Sequence, residues 1–347
     1  KFTWITMVNK SYFLILVLIN TFILFNHKAL IKIISLKFDI LDHPDEKLKH
    51  HIRSTPLFGG IWIYINLLIF FVYFFVFRNN LEIYSPFNNY IDAAVVFFCF
   101  TSIFCIGFFD DVYNLDPNKK LFSFFFIVIC FLLLIPDLLI QSLQFTYKDL
   151  DLTLGLRNFS FLFTALCIVA LINAINMLDG IDGQVALYSF FFVVIFQIFI
   201  YQGLSFFLVT LGITLLFFFI LNIRGKIFFG NSGSYLLGFI FSFLFLSEYK
   251  NDNISINFIF MLVMLPGLEL LRVCFNRLIN GRNPFKGDRD HLHHLLLKRF
   301  TKFQSIIIFQ TIFIIPFILY YFGFTKISTL IFSLITYFVL VVFLKKV

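Results

Sequence analysis

Residues 158–183 read NFSFLFTALCIVALINAINMLDGIDG. From Asn158 to Leu178 no side chain carries a formal charge, and a helix of that length crosses the roughly 30 Å hydrocarbon core of a bilayer. The far end changes character. Asn173, Asn176 and Asp179 recur at every third position and drift across one helical face, and Gly180 and Gly183 loosen the backbone beyond them. Polar groups at membrane depth are expensive, so amides and carboxylates gathered at a helix exit point to ligand binding rather than packing.

The rest of the chain repeats this pattern of apolar run and polar exit. Of its 347 residues, 60% are hydrophobic, 13% are charged and 57 are phenylalanine. Globular chains average about 45–50% apolar and about 25% charged, so a soluble domain and a disordered chain are both excluded. The expected fold is all-α, a polytopic membrane protein of about 10–11 transmembrane helices forming one integral-membrane domain over 1–347. The spans fall at about 11–36, 57–77, 91–109, 121–140, 158–178, 184–201, 204–221, 233–248, 254–275, 304–322 and 326–344. Asn26, His27, Lys28 and Lys32 interrupt the first, which is expected to end near Phe25 and continue along the interface. No small-residue cleavage site follows it, so it reads as a retained span rather than a signal peptide.

The formal net charge of +8 is unevenly placed. Stretches after odd-numbered spans hold Lys28, Lys32, Lys37, Lys47, Lys49 and Arg53, then Lys119 and Lys120, Arg224 and Lys226, and a dense set from Arg272 to Lys302. Even-numbered loops hold only Arg78, Lys148, Arg157, Lys250 and Lys326. This asymmetry makes the odd loops cytoplasmic, the N-terminus periplasmic and the C-terminus cytoplasmic. It also accounts for the basic balance without nucleic acid, for which no stripe or module is visible. The five cysteines form no C-x-x-C pair, so neither a disulfide framework nor a zinc site is indicated.

Five polar clusters lie on the expected cytoplasmic side. The first runs from Asp42 to Pro56 and offers Lys49, His51 and Arg53 to phosphate oxygens before Gly59-Gly60 opens a span; contact with anionic lipid is the plainer alternative. The second is Asp110-Asp111 at the end of an apolar run. Neighbouring side chains leave a helix on different sides, so one of the two is expected to face a common centre. The third is the Asn173–Gly183 segment. The fourth, Phe228-Phe229-Gly230-Asn231-Ser232-Gly233-Ser234-Tyr235, opens a helix with glycine and serine, which suits either an amide cradle for an anion or an N-cap at Ser232 or Ser234. The fifth holds Arg289 and the run His291-Leu292-His293-His294. Upstream, Glu269 and Arg272 stand three apart, the spacing of a helical ion pair. Basic donors, carboxylates and histidines together suit a diphosphate and a hard cation such as Mg²⁺.

The order of these motifs resembles that of the polyprenyl-phosphate N-acetylhexosamine-1-phosphate transferases, relatives of the phospho-N-acetylmuramoyl-pentapeptide transferase, over about Asp42 to His294. The resemblance implies transfer of sugar-1-phosphate from a UDP-N-acetylhexosamine, by default UDP-GlcNAc, to undecaprenyl phosphate. UMP would be released with Mg²⁺ (or Mn²⁺) as cofactor, at the cytoplasmic face of a bacterial inner membrane, to initiate a cell-envelope polysaccharide or glycan. It implies catalytic roles for Asp110, Asp111, His291, His293 and His294. It implies substrate contacts from Lys49, His51, Arg53, Asn173, Asp179, Asp182, Phe228, Gly230, Ser232 and Arg289, with Phe228 stacking on uracil. The metal would fall to Asn231, Asp111 and Asn176. UDP-sugar and undecaprenyl phosphate are the expected partners, and a homodimer is compatible with the reading. Asn231 departs from the pattern, standing where the family usually has an aspartate. Competing readings are a pentapeptide-type transferase, a membrane transporter and a catalytically weak relative; a transporter predicts internal repeats and midplane sites, and neither is visible.

Overall fold

The computed structural model describes residues 2–42, 54–77, 86–87, 89–147, 150–201, 204–281 and 291–345, with backbone alone at 2–9, 146–147 and 150–151. The elements in chain order are α1 (Phe2–Ser35), β1 (Leu41–Asp42), β2 (Thr55–Pro56), α2 (Gly59–Phe77), α3 (Tyr90–Tyr113), α4 (Pro117–Leu134), β3 (Ser142–Tyr147), β4 (Leu150–Gly155) and α5 (Ser160–Leu178). They continue with α6 (Gln184–Ile200), α7 (Phe206–Asn222), α8 (Gly230–Lys250), α9 (Ile256–Ile279), α10 (Leu292–Leu297), α11 (Lys302–Tyr321) and α12 (Lys326–Lys345).

Among the described residues nine helices are long and apolar enough to cross a membrane. α6 and α7, 17 residues each, coincide with the sixth and seventh spans expected from the sequence and sit at the short end of the spanning range. Large apolar side chains face outward along whole helices, such as Leu14, Leu18, Phe22 and Phe25 on α1 and Ile335, Phe338, Val339 and Val342 on α12. Such continuous apolar exposure is the surface of a protein solvated by lipid.

α1 continues as a helix past Phe25, as expected. Asn26 donates its side-chain amide to the Phe22 carbonyl at 2.9 Å, and His27 Nδ1 lies 2.9 Å from the Leu24 carbonyl, so these polar groups are satisfied on the helix itself and it continues to Ser35. The loop between α4 and α5 carries regular structure. It forms an antiparallel hairpin with register Ser142↔Gly155 to Tyr147↔Leu150. The alternation Leu150-Asp151-Leu152-Thr153-Leu154 has the period of a strand. Tyr249 of α8 anchors the hairpin, donating to the Ser142 carbonyl at 2.8 Å and accepting from Gln144 N–H at 3.0 Å.

The chain divides into two compact units, Lys1–Leu115 with Ser189–Leu236, and Asp116–Tyr188 with Leu237–Val347. In the first, α1, α2 and α7 share a buried polar knot in otherwise apolar packing. The Trp62 indole donates to Asn20 Oδ1 at 2.7 Å, and the Asn20 amide donates to Asn66 Oδ1 at 2.7 Å. Tyr12 and Thr210 are hydrogen-bonded through their hydroxyls. In the second unit α5 packs on α4 and α9, and α12 packs on α9 and α11. Tyr188 is fully buried there and donates to the Leu262 carbonyl at 2.8 Å.

Candidate active site

In the first unit the polar residues meet where α3 ends and where α2 and α8 begin. Asp110 and Asp111 close α3, and both are buried, at 0% and 8% exposure. The expectation that only one would face the cluster is corrected, because both reach the first turns of α8. Asp111 Oδ1 accepts from the Asn231 N–H at 2.7 Å; its Oδ2 accepts from the Ser232 N–H at 3.0 Å and the Ser232 hydroxyl at 2.7 Å. Asp110 Oδ1 accepts from the Leu115 N–H at 2.9 Å and Oδ2 from the Tyr235 hydroxyl at 2.9 Å.

The opening of α8 is therefore an anion cradle, but the anion in it is Asp111. Free N–H groups at a helix start need acceptors, and a carboxylate from another helix supplies them. Neither expected N-cap fills that role. Ser232 donates to Asp111, and Ser234 donates to the Gly230 carbonyl at 3.1 Å. Gly230 has φ of +74°, and a Cβ there would stand 2.7 Å from Asp111 Oδ2, so only glycine suits the corner.

The glycine entry of α2 is likewise closed. The Phe228 carbonyl accepts from the N–H groups of Phe58 and Gly59 at 3.2 and 3.0 Å, and the Phe229 carbonyl from Gly60 at 3.1 Å. Phe228 N–H returns a bond to the Pro56 carbonyl at 2.8 Å. Backbone pairing thus fixes where the half-buried Phe228 stands, while the Phe229 ring packs edge-on against Phe218.

In the second unit the exit of α5 gathers with α10 and the start of α11. Asp179 is the C-cap of α5. Asp182 pairs with Lys302 at 2.5 Å, both partly exposed. His291 and His293 are buried, their rings parallel with centroids 5.4 Å apart, and the His294 ring lies 4.2 Å from that of His293. Gly180 lies against the His293 ring so closely that a Cβ would overlap it. Asn173 donates its side-chain amide to the Val169 carbonyl at 2.8 Å on its own helix, as amides four residues along a helix commonly do. Asn176 and Asp179 are half-buried beyond it. Lys49, His51, Arg53 and Arg289 lie outside the described residues.

The Glu269–Arg272 ion pair is present at 2.6 Å, and Tyr337 of α12 joins it, donating to Glu269 Oε2 at 2.8 Å. Tyr337, Tyr235 and Lys302 carry no assignment from the sequence. Nothing near Tyr337 in the chain signals its partner, whereas Glu269, the lone acid of an apolar span, was the available clue. Among the described residues no three His, Cys, Asp or Glu side chains converge as a metal site, so a metal bound here would need substrate oxygens to complete its shell.

Residues 93–248 match the sequence model of glycosyl transferase family 4, a stretch that holds Asp110, Asp111, Asn176, Asp179, Asp182 and Phe228–Ser232. The likeness to glycosyl transferase family 4 thus covers somewhat less than half of the chain. Relatives of the chain include the undecaprenyl-phosphate alpha-N-acetylglucosaminyl 1-phosphate transferase of Yersinia pestis, 26% identical over 287 residues, covering 79% of this chain and 74% of the relative. The enzyme of the same name from Salmonella typhi is 27% identical over 299 residues with the same coverage. That of Thermotoga maritima is 25% identical over 282 residues, covering 81% of this chain and 80% of the relative.

Proposed function

We propose that this chain transfers sugar-1-phosphate from a UDP-N-acetylhexosamine to undecaprenyl phosphate, giving undecaprenyl-diphospho-sugar and UMP. The observation that carries the reading is the similarity, over about four-fifths of the chain, to proteins named undecaprenyl-phosphate alpha-N-acetylglucosaminyl 1-phosphate transferase. The geometry supports it, since in both units the polar residues collect at helix ends joined by loops that follow odd-numbered spans. We place those ends on the cytoplasmic side of a bacterial inner membrane, with the N-terminus periplasmic and the C-terminus cytoplasmic.

A phosphate oxygen of the lipid attacks the donor's β-phosphorus, which carries the sugar. A new P–O bond forms there, and the bond from that phosphorus to the bridging oxygen breaks. UMP leaves with the bridging oxygen. Such transfer depends on in-line positioning and charge neutralisation rather than covalent catalysis. His291, His293 and His294 are the hydrogen-bond donors we assign to the diphosphate. Mg²⁺ (or Mn²⁺) fits the second unit's oxygen donors, Asn176, Asp179 and Asp182, because Asp182 already holds a cation in the Lys302 ammonium. When bound, the metal would neutralise phosphate charge. Asp111 suits that task less well, since both its oxygens already accept bonds from α8.

The test is UMP release by the purified protein in detergent. Release that requires undecaprenyl phosphate, divalent metal and UDP-GlcNAc is expected. Release without the lipid, or a preference for the muramoyl-pentapeptide nucleotide, overturns the assignment. Labelling of single cysteines placed at each terminus, in intact cells and in inverted vesicles, tests the orientation.

A further inference from the structure

Glu269 is buried in the second unit, at 1% exposure. Its Oε1 accepts from Arg272 Nη2 at 2.6 Å and from the Leu292 backbone N–H at 2.7 Å, and lies 3.6 Å from His291 Nδ1. Its Oε2 accepts from the Tyr337 hydroxyl at 2.8 Å and from Arg272 Nε at 3.2 Å. Three helices, α9, α10 and α12, thus meet on one carboxylate.

As a stability device this arrangement is poor. Burying an ion pair forfeits the hydration of both groups, and apolar side chains of similar volume usually hold helices together at least as well. An apolar side chain could not, however, accept the Leu292 N–H. That group opens α10, and His291 at the N-cap makes no side-chain capping bond of its own. What hangs from it is the histidine run: His291 just before, His293 and His294 just after, with the His293 ring seated against Gly180.

We propose that Glu269, held in place by Arg272 and Tyr337, is a positioning residue that sets where the imidazoles of His291, His293 and His294 point. It touches no substrate and acts through α10. The inference rests on reading the histidine run as the element that meets the diphosphate.

Two variants test it in the full-length protein. Glu269→Gln keeps the volume but not the charge and offers one acceptor oxygen in place of two; Tyr337→Phe removes a single hydroxyl. The expected result for Glu269→Gln is backbone hydrogen exchange at residues 291–297 faster by at least tenfold, with α11 unchanged. A kcat lowered about tenfold or more is also expected, with KM for the UDP-sugar within about twofold, because small misplacements of catalytic groups cost rate more than binding. Tyr337→Phe gives smaller changes of the same kind. In Glu269→Gln with Arg272→Met the unpaired cation is gone, so thermal stability recovers while kcat stays low. If kcat recovers with stability, Glu269 is structural only and the proposal fails. It also fails if exchange at 291–297 and kcat both stay at wild-type values. Should Glu269→Gln not fold, Tyr337→Phe alone decides by the same readouts. A wild-type protein that releases no UMP counts against the proposed function, and exchange at 291–297 then judges the positioning separately.

Discussion

Asp111→Asn separates an anchor from a reactive group. The carboxylate receives three donors, one on Oδ1 and two on Oδ2, all from the first residues of α8. Asparagine keeps one oxygen. Its better orientation turns that oxygen to the two Ser232 donors and sets its own NH₂ against the Asn231 N–H, leaving a buried donor without an acceptor at about 1–3 kcal/mol. The two surviving bonds lose charge assistance, roughly half their strength, or about 0.5–1 kcal/mol each. The loss is then about 2–5 kcal/mol, a fall in Tm of roughly 4–15 °C in detergent. Ser232→Ala removes only the hydroxyl bond and costs about 1 kcal/mol. Because both changes act on the same oxygen, the double variant is expected to fall short of additivity by about 0.5 kcal/mol or more. Transfer activity falls with stability in Asp111→Asn, since the start of α8 moves. A variant that melts with the wild type yet loses all turnover would refute the anchoring argument and leave Asp111 a reactive group.

Gly180→Ala forces the His293 ring from its seat, and the expectation is loss of UMP release of about tenfold or more with normal membrane insertion, followed by activity and by the rate of histidine modification. Lys302→Met frees Asp182 at almost no cost in stability, the pair being partly exposed, and should lower the Mg²⁺ concentration for half-maximal rate. Asn231→Asp is expected to leave that concentration unchanged, the proposed metal donors being Asn176, Asp179 and Asp182; a lower value in titrations at saturating UDP-sugar puts position 231 at the metal instead. Asn20→Leu strips the Trp62 indole and Asn66 of a shared partner, and thermal melts should show a loss of about 1–2 kcal/mol without change in kcat.

The helices were legible in the sequence because lipid imposes a length and an apolar composition that no soluble fold demands; the span boundaries agree with the helices to within about four residues, except that α1 begins at Phe2 rather than 11 and α4 ends at Leu134 rather than 140. α1 keeps its helix through Asn26 and His27 because these polar side chains bond back to their own helix, a local solution that hydropathy does not register. The hairpin at 142–155 was missed despite a readable alternation at Leu150–Leu154, since attention to long apolar runs hides short strands. Of the site, identities were legible and partners were not. Asp111 and Ser232 lie 121 residues apart, and Glu269 and Tyr337 lie 68 apart. No periodicity links such pairs. Asn173 shared the spacing of Asn176 and Asp179 yet turned back to Val169, because spacing places a side chain on a face without fixing what it bonds.

The two helix openings that looked ready for a substrate anion are both taken, α2 by the carbonyls of Phe228 and Phe229, α8 by Asp111. Displacing Asp111 from three donors would cost about the same 2–5 kcal/mol estimated for its amide variant. The Asp182–Lys302 pair, with side chains 29% and 40% exposed, is worth only about 0–1 kcal/mol and exchanges readily. In the proposed reaction the arriving charges therefore take the less costly exchange. Asp182 would hold a divalent cation in place of the ammonium, which would leave Lys302, with the histidines of α10, to meet phosphate oxygens. On this argument the aspartates at 110 and 111 build the scaffold, and the aspartate at 182 does the exchanging.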